Sequence, residues 1–320
     1  MKILAVQNRM GIGDTVIFLP FIKAVSKKFN TPISLLVKES SKADQYLYQT
    51  EYIDKIIILK RDKKTDYKHG GLLGSLSLIK DIRNYNFDKI IIFNSSLRYY
   101  LIAQLTGISK IYQYPLFQKK RQHIIETPRI FFQDKLSLNV QEDPEIQIDE
   151  ETINQSIKKF NIKKDEINIL LGIGGSGPTK RIPADTFLNV IDKMLQTRKC
   201  KFFLATGKSE EEQKILNEFL QSRFKKYCVP MDDLSIKETL PIIKICNFSV
   251  CNDSSFSHLS AALGVKTITL MADTPLIYGN YSSKMFPILP DGEKSVTHNT
   301  LAKEKINPNK ILEKIFEIIN

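Results

Sequence analysis

Near the end of the chain, small hydroxyl groups, an acid and a histidine stand together where a predicted strand gives way to a predicted helix. The stretch NDSSFSHLSAALG places Asp253, Ser254, Ser255 and His258 at that junction. The first amides of a helix lack internal partners and carry partial positive charge, so they bind anions, above all phosphate. The same residue types are also common N-caps that need no ligand. This stretch alone leaves both interpretations open.

A second candidate is GIGDTVIFLP, which follows the first predicted strand. Gly11 and Gly13 allow unusual backbone angles and the close approach of a ligand. Asp14 comes as a helix starts, so its carboxylate is either a general base or a helix cap. The stretch therefore offers a candidate base next to two glycines.

A third candidate is the glycine-rich stretch GIGGSGPTKRIP. Its glycines match the spacing GxGxxG of dinucleotide-binding proteins, but that motif opens a helix at once. Here Pro178 and Pro183 interrupt, and the helical pattern begins only at Ala184. Interpreted as a loop, the stretch presents Lys180 and Arg181 as cations for a diphosphate, or as two solvated surface charges.

A fourth candidate is the strand-to-helix turn ATGKSEEEQ with its three consecutive acids. One of Glu210, Glu211 and Glu212 could hold a ribose through its hydroxyls. Three acids in the first turn of a helix also suit the helix dipole without any ligand.

These loops belong to an alternation of short Ile/Val/Leu runs and helical patterns, which argues for parallel sheets covered on both faces. An acidic, then mixed stretch at about residues 135–165 divides the alternation. We predict an α/β protein with Rossmann-like, doubly wound domains at 1–150 and 151–320, facing a central cleft at the carboxyl ends of their strands. The terminal amphipathic stretch NPNKILEKIFEIIN predicts a helix able to pack back on the first domain.

Composition narrows the class of partner. The 320 residues carry a net charge of +12, which favours nucleotides, phosphorylated sugars or an acidic membrane face, although lysine-rich composition drift explains it equally well. Basic residues do not interleave with aromatics in a stripe, so no nucleic acid is expected. The four cysteines form no CxxC pair and fit reduced thiols. Without a predicted signal peptide or membrane span, we expect a cytoplasmic protein that at most touches a membrane surface.

In their order along the chain, these loops resemble those of glycosyltransferase family 9, the lipopolysaccharide heptosyltransferases. The resemblance extends over nearly the whole chain. The resemblance rests on GIGDTVIFLP, SGPTKRIPADTF, ATGKSEEE and NDSSFSHLSAALG. It implies the two-domain GT-B fold and an inverting glycosyltransferase. We predict that no metal is required, because the sequence has no DxD-type pair in a suitable loop: Asp232 and Asp233 lie before a helix, far from the lysine loop in sequence. By default the enzyme moves heptose from ADP-heptose onto a lipopolysaccharide core or a related cell-envelope glycan. No cofactor is implied beyond this nucleotide-sugar co-substrate.

The resemblance also assigns roles to residues. Asp14 becomes the catalytic base. The nucleoside is expected to contact Leu234 and Glu211, with Glu212 as the second choice for the acid. The residues expected at the donor diphosphate are Ser176, Lys180, Asp253, Ser254, Ser255 and His258. Two positions depart from the family pattern, because Ile182 replaces the usual Trp and Ser255 the usual Gly.

On the acceptor side, contacts are expected at Gly13, Asn94 and Arg98. Asn94 stands in a region where the family often carries DLQ, and Arg98 suits an acidic sugar. The basic cluster QKKRQH at 118–123 is either a contact for an anionic, lipid-linked glycan or a solvated loop. With such an acceptor, the protein is expected to contact the cytoplasmic face of the inner membrane as a peripheral protein.

Two other functions stay open. A non-catalytic nucleotide-sugar-binding protein would keep the fold without transfer, against which the presence of Asp14 and Lys180 argues. An NAD-dependent oxidoreductase would rest on GIGGSG, but the immediate helix start and the acid after the second strand are missing.

Overall fold

The chain forms two compact units, Met1–Gln147 and Ile148–Asn320. The computed structural model of the protein describes residues 1–63, 66–117, 123–163 and 165–319. The basic cluster predicted at 118–123 therefore lies outside the described residues, apart from His123. Within the described part, no helix is long and apolar enough to cross a membrane.

The first unit contains a five-stranded parallel sheet in the order β3-β2-β1-β4-β5. Its strands are β1 (Ile3–Gln7), β2 (Ile33–Lys38), β3 (Ile53–Leu59), β4 (Lys89–Ile92) and β5 (Lys110–Gln113). Its helices are α1 (Ile12–Phe29), α2 (Ala43–Tyr46), α3 (Gly71–Arg83), α4 (Leu97–Leu105) and α5 (Glu126–Leu136). The apolar strand runs noted in the sequence are buried because helices cover the sheet.

The central strand β1 is buried along its whole length and leads directly into α1. Gly11, the N-cap of α1, has φ 95°, a left-handed value that glycine adopts without steric cost. Asn30 ends the helix at φ 47°, in the αL conformation that asparagine tolerates at such a position. The glycine in GIGD therefore sets the sharp turn from strand to helix.

The second unit contains a six-stranded parallel sheet in the order β11-β10-β9-β6-β7-β8. Its strands are β6 (Ile167–Gly172), β7 (Cys200–Ala205), β8 (Cys228–Pro230), β9 (Phe248–Asn252), β10 (Lys266–Leu270) and β11 (Met285–Ile288). Its helices are α6 (Glu150–Lys159), α7 (Ala184–Thr197), α8 (Glu210–Gln221), α9 (Ile236–Ile245), α10 (Ser255–Ala262) and α11 (Pro308–Ile319). The predicted α/β class with doubly wound parallel sheets is confirmed. The terminal helix α11 packs against α7 and β10 of its own unit.

Strand order reverses between β6 and β9, which are neighbours in space but distant in sequence. Ligands of doubly wound proteins bind outside the carboxyl ends of the strands at such a switch point. Gly172 ends β6 there, opposite Cys251 of β9, and a Cβ on this glycine would lie 2.7 Å from the Cys251 Sγ. This glycine is therefore required by the close approach of the two strands, whether or not a dinucleotide binds.

Candidate functional site

The loops that follow β6 and β9 are joined at the switch point by one buried side chain, Asn252. Its Nδ2 donates to the carbonyl oxygens of Ile173 at 2.8 Å and Gly174 at 3.2 Å, and its Oδ1 accepts from the Ile182 amide at 3.4 Å. Because Asn252 immediately precedes Asp253, these bonds hold both ends of the lysine loop beside the start of α10.

Lys180, Asp253 and His258 meet at this point. The Lys180 Nζ lies 2.7 Å from Asp253 Oδ2, and the His258 Nε2 lies 3.9 Å from Asp253 Oδ1. Burial of the Asp253 carboxyl favours its neutral form, but the charge of Lys180 outweighs this and lowers the pKa of Asp253 below its ordinary value. The site therefore presents an ammonium group fixed by a buried carboxylate.

A second ring supports His258. The His258 Nδ1 and the Tyr281 hydroxyl are 2.8 Å apart, and the two rings stack at 5.6 Å between centroids. Burial lowers the pKa of His258 to about 4, against the attraction of Asp253 and with the repulsion of Lys180. His258 is therefore a neutral imidazole at neutral pH, with one ring nitrogen tied to Tyr281.

No described side chain makes a capping hydrogen bond to the first turn of α10, which begins at Ser255. Ser254 is the N-cap residue of α10, but within the described ranges its hydroxyl makes no capping bond and is buried without a hydrogen-bond partner. Asp253, the other candidate cap, bonds to Lys180. The cap interpretation of this stretch thus loses its two best residues, and the anion-binding interpretation keeps a helix start without a side-chain cap.

Arg181 does not share the environment of Lys180. Its Nε donates to the Gly175 carbonyl oxygen at 2.9 Å, and its Nη1 pairs with Glu211. The guanidinium is buried and braces the loop, so Arg181 is not a solvated surface charge, and its expected contact with a diphosphate stays a prediction. Ser176 is exposed at the tip of the same loop.

Glu211 and Glu212, two of the three acids at the start of α8, have different contacts. Glu212 accepts hydrogen bonds from the amides of Gly175 at 3.0 Å and Gly207 at 3.2 Å, and from the Ser209 hydroxyl at 2.7 Å. Burial opposes ionisation of Glu212, but these donors lower its pKa overall. Glu212 therefore ties two loops together. Glu211 is exposed, and one of its carboxylate oxygens pairs with Arg181.

Leu234 lies half-buried in the turn between β8 and α9, where its amide donates to the Met231 carbonyl oxygen at 3.1 Å. In the same turn, Asp233 accepts from the Lys208 Nζ at 3.1 Å. This contact places the turn beside the loop that leads to Glu211. The two residues predicted at the nucleoside thus belong to adjacent loops.

In the first unit, Asp14 is the third residue of α1, and its side chain is half-buried. The helix is capped by Gly11, so Asp14 is not the N-cap residue that the sequence left open. The buried Gln7 fixes the backbone at this place, because its Nε2 donates to the Asp14 carbonyl oxygen at 3.0 Å and its Oε1 accepts from the Arg9 amide at 2.7 Å. Gly13 lies in the same helical turn.

The other acceptor-side candidates follow β4. The Asn94 Nδ2 donates to Asn8 Oδ1 at 3.2 Å, which joins the loops after β4 and β1. Arg98, in the first turn of α4, donates to the His69 carbonyl oxygen, and burial together with the nearby charge of Arg61 lowers its pKa. The structure therefore brings Asn94 to the loop before Asp14 and leaves Arg98 near a second guanidinium.

Three buried or stacked residues, Gln7, Asn252 and Tyr281, were missed as site residues. Gln7 and Asn252 are the last residues of buried strands, where a polar side chain is an available sequence signal. Tyr281 follows β10 in a segment without a motif, so only the structure identifies it. Across the part of the chain that the structure describes, no group of three or more His, Cys, Asp or Glu side chains is arranged to hold a metal ion.

Comparison with known proteins gives a consistent result. The model of "Glycosyltransferase family 9 (heptosyltransferase)" matches residues 75–304. A lipooligosaccharide heptosyltransferase 2 of Campylobacter jejuni subsp. jejuni is 25% identical over 322 residues, which cover 95% of each chain.

Two solved E. coli structures share the fold. ADP-heptose lipopolysaccharide heptosyltransferase II superposes with a TM-score of 0.75 at 17% identity, covering 99% of this chain and 98% of the other. Heptosyltransferase WaaC, solved with ADP, superposes with a TM-score of 0.71 at 16% identity, covering 99% and 100%. These likenesses confirm the predicted GT-B fold with two Rossmann-like domains. The family match covers well over half of the chain. The chain therefore belongs to glycosyltransferase family 9 and is a glycosyltransferase.

Proposed function

We propose that this glycosyltransferase moves heptose from ADP-heptose to a lipopolysaccharide core or a related cell-envelope glycan, with inversion and without a metal ion. The observation that carries the proposal is the cluster of Lys180, Asp253 and His258 at the uncapped start of α10. It lies at the switch point of the second sheet, where doubly wound proteins bind their ligands.

In this proposal the second unit stabilises the leaving diphosphate. Negative charge grows on the bridging oxygen as the bond to the sugar breaks, and fixed positive groups nearby lower the barrier. Lys180 supplies a full charge, and the amides at the start of α10 supply partial charges. These groups take the part that a divalent cation plays in metal-dependent transferases, which is the basis for proposing metal independence.

Neutral His258 serves as a hydrogen-bond donor to the diphosphate. If Tyr281 donates to Nδ1, the imidazole proton resides on Nε2, the nitrogen on the side of Asp253. Ser254 and Ser255 contribute the backbone and hydroxyl groups of the helix start, and the exposed Ser176 closes over the phosphates from the lysine loop.

Asp14 acts as the general base in the first unit. It removes the proton of the acceptor hydroxyl as that oxygen attacks the anomeric carbon from the face opposite the diphosphate, which inverts the configuration. The bonds of Gln7 to the Asp14 carbonyl and the Arg9 amide fix the backbone of this turn, as a base of defined position requires. Gly13 and Asn94 contact the acceptor beside it.

The proposed donor and acceptor draw on the relatives. One E. coli protein has ADP-heptose in its name and the other was solved with ADP, which supports an adenosine diphosphate donor here, with Glu211 and Leu234 at the nucleoside. The heptosyltransferase 2 relative acts on lipooligosaccharide by its name, which supports an anionic, lipid-linked acceptor with Arg98 at an acidic sugar. Such an acceptor places the enzyme on the cytoplasmic face of the inner membrane, and nucleic acid has no part in the proposal.

Calorimetric titration with ADP, UDP, GDP, CMP and NAD in the presence of EDTA tests the donor side. We expect selective binding of ADP that Lys180→Ala abolishes. Preference for UDP or GDP would keep the transferase and overturn the proposed donor. Binding of NAD alone would contradict transfer and favour an oxidoreductase, although α7 begins only at Ala184, twelve residues after the strand that a dinucleotide fingerprint would follow directly.

Product analysis tests the acceptor side. Incubation of the protein with ADP-heptose and heptose-free lipopolysaccharide core should give an extended core with inverted anomeric configuration, in EDTA as in magnesium. If ADP-heptose binds but no core is extended while Asp14 is intact, the non-catalytic binding protein becomes the better interpretation.

A further inference from the structure

Six leucines on two neighbouring helices of the first unit are exposed. On α3, Leu72 is 88% exposed, Leu73 82% and Leu76 61%. On α4, Leu97, Leu101 and Leu105 are 41%, 49% and 55% exposed and recur every four residues, so they form one line along that helix. We call these six residues the leucine patch.

The two rows of the leucine patch meet at Leu76 and Leu105. Helices α3 and α4 pack against each other, and Leu76 and Leu105 line the same surface cavity of 310 Å³. Half of the exposed large apolar residues in the described chain belong to the leucine patch. Contiguous exposed apolar surface of this kind marks a site of contact with a partner or a membrane.

Basic side chains border the leucine patch. The cavity between Leu76 and Leu105 is also lined by Lys80 and Arg83, and no acidic residue lines it. Arg83 is held in place by two bonds to the Leu105 carbonyl oxygen. The acid of the same helix, Asp81, points away and pairs with Lys68 and His69.

We propose that the leucine patch is a docking surface for an anionic phospholipid bilayer. Leucines at helical spacing with lysine and arginine at the border are the features of interfacial helices, which insert aliphatic side chains between headgroups while the basic groups meet lipid phosphates. The proposal uses only residues of α3 and α4 and none of the residues assigned to donor binding or proton removal.

A second copy of the chain fits this surface less well. In a twofold contact the patch faces itself, so Lys80 and Arg83 of each copy would be covered by the other copy, and no acidic residue lines the cavity between Leu76 and Leu105 to pair with them. Burial of unpaired cations there opposes association, whereas the phosphates of anionic lipid pair with them. Protein contacts also derive most of their binding energy from Trp, Tyr and Arg, whereas the six exposed apolar residues here are all leucine.

Co-sedimentation of the full chain with vesicles tests the proposal. We expect binding to vesicles of phosphatidylethanolamine and phosphatidylglycerol, weaker binding to phosphatidylcholine vesicles, and a fall in binding as salt is raised. The triple variant Leu72→Gln, Leu73→Gln and Leu76→Gln should lower partitioning at least about tenfold, because each leucine loses its transfer into the interface. Lys80→Gln and Arg83→Gln should each lower it about fivefold, on anionic vesicles only.

Ile130→Gln is the matched control, because Ile130 is an exposed apolar residue of α5 in the same unit, with 60% exposure. It should bind vesicles like the unchanged protein, and circular dichroism should show that every variant is folded. Equal binding by the leucine variant and the control would overturn the proposal. A dimer that the leucine variant loses, without vesicle binding, would assign the patch to a second copy instead. The vesicles contain no glycan acceptor, so failure here leaves the proposed transfer reaction unaffected.

Discussion

Lys180 and Asp253 form an ion pair of unequal exposure, in which the carboxylate is 5% exposed, the ammonium is 23% exposed, and their atoms are 2.7 Å apart. The carboxylate depends on its partner, because a buried charge without a counter-ion is costly. The ammonium retains enough exposure to meet a ligand. Asp253 is thus the group that fixes Lys180, and Lys180 is the group that we propose acts on the donor.

The first prediction concerns this pair. Lys180→Met should lower the free energy of unfolding by about 3 kcal/mol, since it leaves the Asp253 carboxylate unpaired. Adding Asp253→Asn should restore most of that loss, because the buried group then carries no charge. Urea unfolding of the two single variants and the double variant measures this coupling.

The double variant is also the control for ligand binding. It should stay folded and still fail to bind ADP, which separates loss of the phosphate contact from loss of structure. If it binds ADP as the unchanged protein does, Lys180 has no part in donor binding.

The second prediction concerns Asp14. Asp14→Asn should lower the rate of transfer about a thousandfold, because the amide cannot take up the acceptor proton. Its affinity for ADP should stay within about tenfold, since the base acts on the acceptor. Initial rates and calorimetric titration of the same preparation give both values. Collapse of nucleotide binding together with the rate would assign Asp14 to the donor instead.

The sequence was sufficient for the fold because the strands carry long apolar runs and the loops carry helix-breaking residues. The runs MKILAVQ and NILLGIG became β1 and β6, and the prolines of GPTKRIP delayed α7 to Ala184, as predicted. Strands β5 and β11 were missed, because KIYQ and MFPI are short and only partly apolar. Helix α5 was also missed, since ETPRIFFQDKL contains a proline and no clear apolar stripe.

The candidate site could be predicted by residue type but not by partner. A sequence places Lys180 next to Arg181, yet only the folded loop turns one toward Asp253 and the other toward Glu211. Likewise, three equivalent glutamates at the start of α8 acquire different roles only when Gly175 and Gly207 approach Glu212. Neighbours in sequence diverge here because successive side chains of a loop or helix point in different directions.

The third prediction concerns pH. In the unfolded chain His258 takes up a proton near its ordinary pKa of 6.5, whereas in the folded protein it does so only near a pKa of about 4. Between these pH values the unfolded state binds more protons, so the free energy of unfolding falls as the pH is lowered. The fall attributable to His258 is about 3 kcal/mol from pH 7 to pH 4.

His258→Gln isolates that contribution. Asp253 and Glu212, whose pKa values are lowered in the folded chain, are present in both proteins, so their own titration cancels in the difference. The difference in unfolding free energy between the two proteins should therefore depend on pH only between about 4 and 6.5. Parallel pH profiles would mean that His258 is protonated as easily in the folded chain as in the unfolded chain.

The fourth prediction separates Glu211 and Glu212 of α8. Glu211→Gln should weaken ADP binding about tenfold, as expected for loss of a charged hydrogen bond to the ribose, and should leave the deoxyribose analogue unaffected. Stability should fall by less than in the Glu212 variant, because glutamine still offers an oxygen to the buried Arg181 and the charge of Glu212 stays nearby. Glu212→Gln is the matched variant, and it should lower the free energy of unfolding by about 2 kcal/mol, because its carboxylate accepts from Gly175, Gly207 and Ser209. If instead Glu212→Gln alone removes the discrimination between ADP and its analogue, the ribose contact belongs to Glu212, and the loop bonds seen here must open when the nucleotide binds.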